Sequence, residues 1–384
     1  MLSEVDRTLG RVIAGSVRPG DLPPGRLDEV WTHAIRTSGG EVLAAVLVTA
    51  GADIDPASKE RVRACLRDAA VTEMLRLRVL RRVVHAFDAA GIRMLLIKGA
   101  GLAYTVYPAP HLRPAGDIDV FITRESLETA EAALATAGFA RDLEPDAESA
   151  SMQRHYTARD VYGANHVVDL HWRISNRHVF ANALCFEEGW SRSRPIERLG
   201  GTARTLAIAD ALLLACIHRI AHHQDDPHLI WLWDIHLLAG KMTRADVEAL
   251  AAHAARTGMR AVIVRGLEMS QSRFGTALDP WLLSKLCESG VGEASARFVG
   301  HETRHVDLVL SDFTAAATAG QRLRLLREHL WPGLAYMRAK YPSCPRLLLP
   351  LAYLYRIAWG APKWFQSPSH HEPVSTDPTR SAHE

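Results

Sequence analysis

The chain has 384 residues, of which 48% are hydrophobic and 23% are charged, as is typical of a globular protein. Its formal net charge of +2 argues against a broad nucleic-acid-binding surface, although a local basic patch is compatible with it. Five scattered cysteines without a Cys-x-x-Cys pair predict reduced thiols in the cytoplasm, not a disulfide framework or a zinc site. We expect neither a signal peptide nor a transmembrane segment, because no suitable apolar run is evident.

The first 90 residues have the composition of helices. Residues 1–55 are expected to be helical with a break at 19–24, and residues 42–50 have the apolar, alanine-rich composition of a core helix. Over residues 56–90, apolar side chains recur at helical spacing while arginines occupy the other face. That basic face could contact an anionic substrate, but a solvated helix surface is the simpler explanation.

The first motif with a chemical role begins at residue 94. The apolar run 94–97 is too short for a helix and predicts a buried strand. Residues 98–101, Lys-Gly-Ala-Gly, are expected to turn the chain into a helix over residues 102–106. Such a turn leaves backbone N–H groups free at the start of a helix, where they can bind phosphate.

A strand predicted over residues 117–122 begins with two aspartates, Asp117 and Asp119. Residues two apart in a strand point to the same side, so these carboxylates share one face, about 7 Å apart at the backbone. They repel each other unless a cation lies between them, and magnesium prefers such oxygen ligands. Asp169, inside the β-branched and aromatic run 167–172, would complete an acidic triad, because a charge there is costly without a partner.

Further elements follow the acidic strand. Residues 128–137 are expected to form an alanine-rich helix. Residues 154–161 and 166–173 predict two strands joined by a Gly-Ala-Asn turn, and this hairpin would lie beside the acidic strand. Residues 174–205 show no clear pattern. Together these elements predict an α+β fold with a small mixed sheet and flanking helices.

The composition changes to helix beyond residue 205. Four helices are predicted over residues 207–223, 229–238, 243–255 and 259–272, and they form a helical second domain. Asp234 lies in an otherwise apolar helix, so we expect it to pair with a basic group of the segment 218–223.

Histidines cluster at the end of the first of these helices. His218 and His222 are four residues apart and therefore face the same way. Such a pair can bind zinc, although no His-Glu-x-x-His motif or cysteine accompanies it. The imidazoles could instead interact with the helix dipole, or His218 or Arg219 could face a cleft and hold the nucleotide or acceptor.

Taken in order, several motifs resemble those of a known family: Lys98-Gly99, Tyr107-Pro108, Arg113, Asp117-Ile118-Asp119 and Asp169-Leu170-His171-Trp172. Their spacing is similar to that of the bacterial uncharacterised nucleotidyltransferase family of the polymerase-beta-like superfamily, from about residue 60 to about residue 240. The wider superfamily has Gly-Ser before the acidic pair, where this chain has Lys98-Gly99. The resemblance implies a polymerase-beta-like core and a helical domain that closes its cleft.

The resemblance also implies a function. The expected reaction moves a nucleoside monophosphate from an NTP, by default ATP, to an acceptor hydroxyl of a small molecule or peptide, with nucleic acid less favoured. The expected catalytic residues are also the ligands of two Mg²⁺ ions: Asp117, Asp119 and Asp169. The residues expected to bind the nucleotide and its phosphates are Lys98, Gly99, Arg113, His218 and Arg219.

Three alternatives stay open at this point. A phosphotransferase that moves the γ-phosphate needs the same acids and differs only in the position of the triphosphate. A non-catalytic sensor or partner module would bind the NTP without turnover. An enzyme that modifies RNA ends predicts salt-dependent RNA binding, which the nearly neutral net charge disfavours.

The C-terminal third carries weaker patterns. Residues 291–345 are basic, which fits a patch for RNA or an acidic acceptor, or an ordinary charged surface. Residues 347–359 are apolar, too short to span a bilayer, and could cover the core or lie on a membrane surface. The polar C-terminus is expected to be disordered. We therefore divide the chain into an N-terminal helical segment (1–55), a nucleotidyltransferase core (56–200), a helical domain (201–365) and a disordered tail (366–384).

Overall fold

The computed structural model describes residues 2–23, 25–142, 151–200, 202–288, 292–300, 305–315 and 318–364. It combines a mixed sheet with many helices, which confirms the predicted α+β fold class. Within these ranges, every helix is too short or too polar to cross a membrane. The tail predicted to be disordered lies outside the described residues.

In the described part of the chain, seven strands form one mixed sheet. They are β1 (Leu95–Leu96), β2 (Asp117–Phe121), β3 (Ala140–Arg141), β4 (Gln153–Arg159), β5 (Asn165–His171), β6 (Arg194–Pro195) and β7 (Arg204–Thr205). Their order across the sheet is β3-β4-β5-β2-β1-β7-β6. Strand β2 is parallel to β5, and β1 is antiparallel to β2 but parallel to β7. The four predicted strands are confirmed, and the predicted hairpin is the antiparallel pair β4–β5, with β5 beside β2.

Helices precede, flank and follow the sheet. The first six are α1 (Glu4–Ile13), α2 (Arg26–Arg36), α3 (Gly40–Thr49), α4 (Pro56–Ala89), α5 (Lys98–Thr105) and α6 (Leu127–Thr136). Between β5 and the end of the sheet lie α7 (His178–Ala181) and α8 (Phe186–Arg192). The remaining helices are α9 (Ile208–His223), α10 (Leu229–Ala239), α11 (Arg244–Thr257), α12 (Arg260–Phe274), α13 (Pro280–Cys287), α14 (His305–Ala315), α15 (Ala319–Leu330), α16 (Leu334–Lys340) and α17 (Leu349–Trp364).

The sheet separates two apolar layers. Leu96 and Val120 belong to the layer that contains α4 and α6, whereas Leu95 and Phe121 belong to the layer that contains α9 and α10. Side chains alternate along a strand, so Asp119 lies on the same side as Phe121. The acidic end of β2 therefore faces the side of the sheet on which α9 lies.

The turn predicted at residues 98–101 is wrong, because α5 already begins at Lys98 and includes both glycines. Close packing against the sheet explains this arrangement. A Cβ atom on Gly101 would lie 2.4 Å from Oγ1 of Thr205 and 2.5 Å from the carbonyl oxygen of Leu96. Glycine therefore lets the helix approach β1 and β7 more closely than any other residue would.

The N-terminal helices pack on the later helices, and α1–α3 share one hydrophobic cluster with α9–α12. A buried ion pair fastens α1 to α12, with 2.6 Å between Nη2 of Arg273 and Oδ1 of Asp6. The carboxylate of Asp6 also accepts from the backbone N–H of Ser3, and the backbone N–H of Asp6 donates to Oγ of Ser3, which together form the capping box of α1. The predicted division of the chain into domains stays a prediction.

Replacing Asp6 by alanine should lower the free energy of unfolding by about 3–5 kcal/mol, because the buried Arg273 cation would lose its carboxylate. Urea unfolding measures the change. Asp28→Ala is the control, since Asp28 pairs with Arg61 at the surface and its loss should cost less than about 1 kcal/mol. Equal losses in the two variants would show that the buried pair contributes no more than a surface one.

Candidate active site

The parallel pairing of β2 with β5 places Asp119 directly beside Asp169. On the far side of β5, His155 of β4 is the partner of Asp169 in the antiparallel register. Directly opposed residues of paired strands point to the same face, so the three side chains form a row across three strands. Both carboxylates are buried.

Each buried carboxylate has a nitrogen partner. Nζ of Lys98 donates to Oδ1 of Asp119 over 2.7 Å, and Nε2 of His171 lies 2.8 Å from the same oxygen. Asp169 is bonded through its own Oδ1 to Nδ1 of His155. Lys98 adopts a φ of +47°, a left-handed conformation that is uncommon for lysine. The backbone strain thus lies at the residue that supplies the cation.

The charges shift one another's titration. The charge of Asp119, burial and the charge of Asp169 together raise the pKa of Asp117 to about 6. Burial favours the neutral form of Asp119, but Lys98 and His171 outweigh it and hold the pKa of Asp119 well below its usual range. Burial alone would lower the pKa of Lys98, yet the surrounding carboxylates raise it. One lysine therefore does not balance the three acids.

Among the described residues, one group of side chains is arranged to hold a metal ion: Asp119, Asp169 and His171, whose ligand atoms all lie within 4.8 Å of one another. Burial and the charge of Lys98 lower the pKa of His171, so its imidazole is neutral and keeps a lone pair. Two carboxylates and one imidazole suit a divalent cation, and the excess negative charge favours one. The residues therefore fit a divalent metal.

This group differs from the predicted acidic triad, because it contains His171 in place of Asp117. The sequence signal for His171 is its position two residues after Asp169 in one strand, which puts both side chains on the same face. His155 could be found only from the strand register, since nothing in its own segment marks it.

A second polar network joins the chain before β2 to helix α10. Nη2 of Arg113 lies 2.8 Å from Oδ2 of Asp234, and Nε of Arg113 lies 2.9 Å from Oδ1. The hydroxyl of Tyr107 donates to the same Oδ1 over 2.6 Å. The predicted pairing of Asp234 with the segment 218–223 is therefore wrong. Its partners come from a part of the chain that the helical pattern of α10 does not reveal.

A cavity of about 280 Å³ lies between the sheet and helices α9 and α10. The acidic end of β2 and the start of α5 form one wall of it. Another part of the lining, called the helical wall below, consists of rings and a hydroxyl group, which belong to His218, His223, His228, Trp231 and Ser38. Four of the five residues predicted to bind the nucleotide line this cavity: Lys98, Gly99, Arg113 and His218.

The exception is Arg219, which the structure does not bring to the cavity. Its side chain is fully buried, and its guanidinium lies 2.5 Å from Oδ1 of Asp225. It also donates to the carbonyl oxygen of Asp225 and so closes the loop after α9. Its position therefore does not support the predicted contact with a nucleotide.

The rings on the helical wall contact one another. His223 stacks on Trp231 with 3.8 Å between ring centroids and 26° between ring planes. His228 approaches the same indole to 4.5 Å, and His218 approaches His223 to 4.7 Å. Burial lowers the pKa of His218 and His228, which keeps these two rings neutral at neutral pH. Nδ1 of His218 is buried and has no hydrogen-bond partner.

A comparison with known families identifies a match over more than half of the chain. The model of a family described as "uncharacterised nucleotidyltransferase" matches residues 24–275. The matched region contains the whole sheet, the three acids and both helices of the cavity wall. Among curated proteins, none matches the chain.

In the metal-free protein, the carboxyl group of Asp117 should titrate near pH 6, because the neighbouring acids favour its protonated form. Carbon-13 NMR of aspartate-labelled protein measures this. Asp119→Asn removes the largest cause and should return the titration toward the ordinary value of 3.8. Protons compete with metal for carboxylate oxygens, so metal affinity should fall as the pH drops through this range. If Asp117 of the wild-type protein titrated near 3.8, the inference that the site carries an excess of negative charge would be wrong.

Proposed function

The chain belongs to the family of uncharacterised nucleotidyltransferases, and on this basis we propose that it transfers a nucleoside monophosphate from an NTP to an acceptor hydroxyl. The observation that supports this most is the pair Asp119 and Asp169 on neighbouring parallel strands, with Lys98 bonded to Asp119. Asp119 and Lys98 line the cavity, whereas Asp169 lies behind Asp119 on the next strand and is not part of the lining. Fixed acids for a metal and a cation for phosphate are what such a displacement requires. With a net charge of +2, a small molecule or peptide is the favoured acceptor.

Asp119, Asp169 and His171 would hold the divalent metal, for which we propose magnesium because carboxylate oxygens dominate the set. When bound, the ion supplies Lewis acidity that neutralises phosphate charge and lowers the pKa of an acceptor hydroxyl. Asp117 would extend the set toward the second ion that the family resemblance implies. The raised pKa of Asp117 supports this, since it reflects negative charge that the protein alone leaves unbalanced.

The start of α5 would bind the triphosphate. The first N–H groups of a helix have no acceptor within the helix, so they are free to donate to phosphate oxygens. At Gly99 there is no side chain to cover them, and a Cβ atom there would already lie 3.0 Å from Cβ of Ala115. Lys98 and Arg113 add positive charge at the same wall, although the guanidinium of Arg113 is already held by Asp234.

Asp169 would act as the general base. The acceptor oxygen attacks the α-phosphorus, the bond to the oxygen of the β-phosphate breaks, and pyrophosphate leaves. The hydroxyl proton passes to the carboxylate of Asp169. His155, bonded to Oδ1 of Asp169, would orient that carboxylate as a positioning residue.

The helical wall would bind the nucleobase. A planar ring can stack against aromatic side chains such as those of Trp231 and His223, which line the same cavity as Asp119. His218 offers a buried nitrogen without a partner at the same wall, where it can hydrogen-bond a polar edge of the base. The triphosphate at α5 and the base at α10 would then occupy one cavity.

The position of a label separates nucleotidyl transfer from phosphoryl transfer. With magnesium and an NTP labelled at the α-phosphate, the protein should pass the label to an acceptor in a fractionated cell extract. A γ-label should not be transferred, because it leaves with pyrophosphate. Asp169→Asn should slow the transfer roughly 10²- to 10⁴-fold, as expected for loss of a general base. Chromatography of the labelled products measures both outcomes.

Asp68→Asn is the matched control, because Asp68 is an exposed carboxylate of α4 and its loss should leave transfer unchanged. Transfer of the γ-label would establish a phosphotransferase instead. Magnesium-dependent NTP binding without transfer to any fraction would establish a non-catalytic module. Circular dichroism of each variant checks that the fold is retained.

Replacing Trp231 by alanine should weaken NTP binding by about 1–3 kcal/mol, the usual value for one base stacked on an aromatic ring. Trp231→Phe keeps a ring and should lose less. Calorimetric titration measures both. Trp281→Ala is the control, because Trp281 packs beneath Arg244 away from this cavity. Equal affinity in Trp231→Ala and wild type would place the base elsewhere.

A further inference from the structure

The C-terminal helices carry a surface that the proposed function does not use. Residues 318–364, which comprise α15, α16 and α17, are called the basic segment below. The basic segment contains eight Lys and Arg residues and one acidic residue, Glu328, so its formal charge is +7, whereas that of the whole chain is only +2. Glu328, the one acidic residue of the segment, is buried.

One face of α17 is apolar and exposed to solvent. Leu351, Tyr355 and Trp359 follow one another at intervals of four residues, which places them along one side of the helix. The rings of Tyr355 and Trp359 stack with 5.7 Å between centroids, as expected for neighbours on one face. Together with Leu347 and Leu354, these side chains are between 53% and 93% exposed. We call these five residues the apolar stripe.

The opposite face of α17 is used for packing. Leu349 and Ala352 are buried with Met337 of α16 in a small hydrophobic cluster. Helix α14 packs against both α15 and α17, so the basic segment has a defined arrangement. Asp312 of α14 in turn binds Arg177 over 3.2 Å and accepts from the backbone N–H of His178, which links these helices to the rest of the chain. The stripe is therefore exposed although its helix is folded and anchored.

Exposed cations lie in the same segment as the apolar stripe. Arg324 and Arg327 are exposed on α15, and so are Arg338 and Lys340 on α16. On α15 they are interleaved with two exposed leucines, Leu323 and Leu326. Exposed leucines beside arginines on α15, together with exposed aromatic rings on α17, are the chemistry of an in-plane membrane contact. Basic clusters attract anionic headgroups, and Trp and Tyr favour the interfacial region.

Two other occupants fit this surface less well. A second copy of the chain would bring two segments of like charge together, which disfavours association. Nucleic acid would pair with the cations but would leave the leucines of the stripe in water, because base stacking uses aromatic rings. An anionic bilayer satisfies the charges and covers the leucines at the same time.

We propose that the apolar stripe and the cations of the basic segment bind the surface of an anionic lipid bilayer. The stripe enters the boundary between headgroups and acyl chains, and the arginines contact lipid phosphates. This binding is independent of the nucleotidyl transfer proposed above, since none of these side chains lines the cavity.

Flotation of the full-length protein with lipid vesicles tests the proposal. The protein should bind vesicles of phosphatidylcholine that contain roughly one-third phosphatidylglycerol, and it should not bind phosphatidylcholine alone. Added salt should weaken the binding, because it screens charge at the bilayer surface. Leu351→Ser/Trp359→Ser and Arg324→Gln/Arg327→Gln/Arg338→Gln should each bind roughly tenfold or more weakly.

Val71→Ser/Met74→Ser is the matched control, because these α4 side chains are also about half exposed and should be replaceable without loss of vesicle binding. Magnesium-dependent NTP binding should be unchanged in all variants. Failure of the membrane proposal can therefore be distinguished from failure of the proposed function. Absence of vesicle binding by the wild type would overturn the proposal. So would a dimer that Leu351→Ser/Trp359→Ser dissociates, or salt-sensitive RNA binding that the arginine variant loses.

Discussion

The arrangement of the candidate site depends on two buried carboxylates that lie side by side on parallel strands. Asp119 and Asp169 repel each other in an environment that screens charge poorly, so each needs a close cation or hydrogen-bond donor. Lys98 and His171 are hydrogen-bonded to Asp119, and His155 is hydrogen-bonded to Asp169. The left-handed backbone at Lys98 occurs where β1 passes directly into α5. The site keeps a net negative charge and thus favours a divalent cation.

Buried ion pairs also fix the position of the helices relative to the sheet. Arg113 and Tyr107 hold Asp234, which joins helix α10 to the chain just before β2. The pair of Asp6 and Arg273 fastens the N-terminal helices to the same helical layer. Each pair joins residues more than a hundred positions apart, and each would be costly to break because one charge would be left buried. The cavity between sheet and helices therefore has a defined shape before any substrate enters.

The predictions that succeeded rest on short-range patterns. Alternation and β-branched residues predict β2 and β5, and apolar spacing predicts α4 and α9 to within a few residues. The misplaced start of α5 has a different origin, since two glycines normally indicate a turn. Here Gly101 serves a close approach to Leu96 and Thr205, and Thr205 lies on a strand of two residues that no pattern reveals.

The sequence alone determines the fold class, the family resemblance and the identity of the three acids, because motif order and strand periodicity are properties of the chain itself. Only the tertiary structure decides which side chains meet. In the structure, His171 and His155 lie beside the acids, and Asp234 is paired with Arg113. Arg219 is paired with Asp225 and does not line the cavity. The physical reason is that strand register and helix packing set contacts between distant segments, and such contacts depend on the whole core rather than on any local spacing.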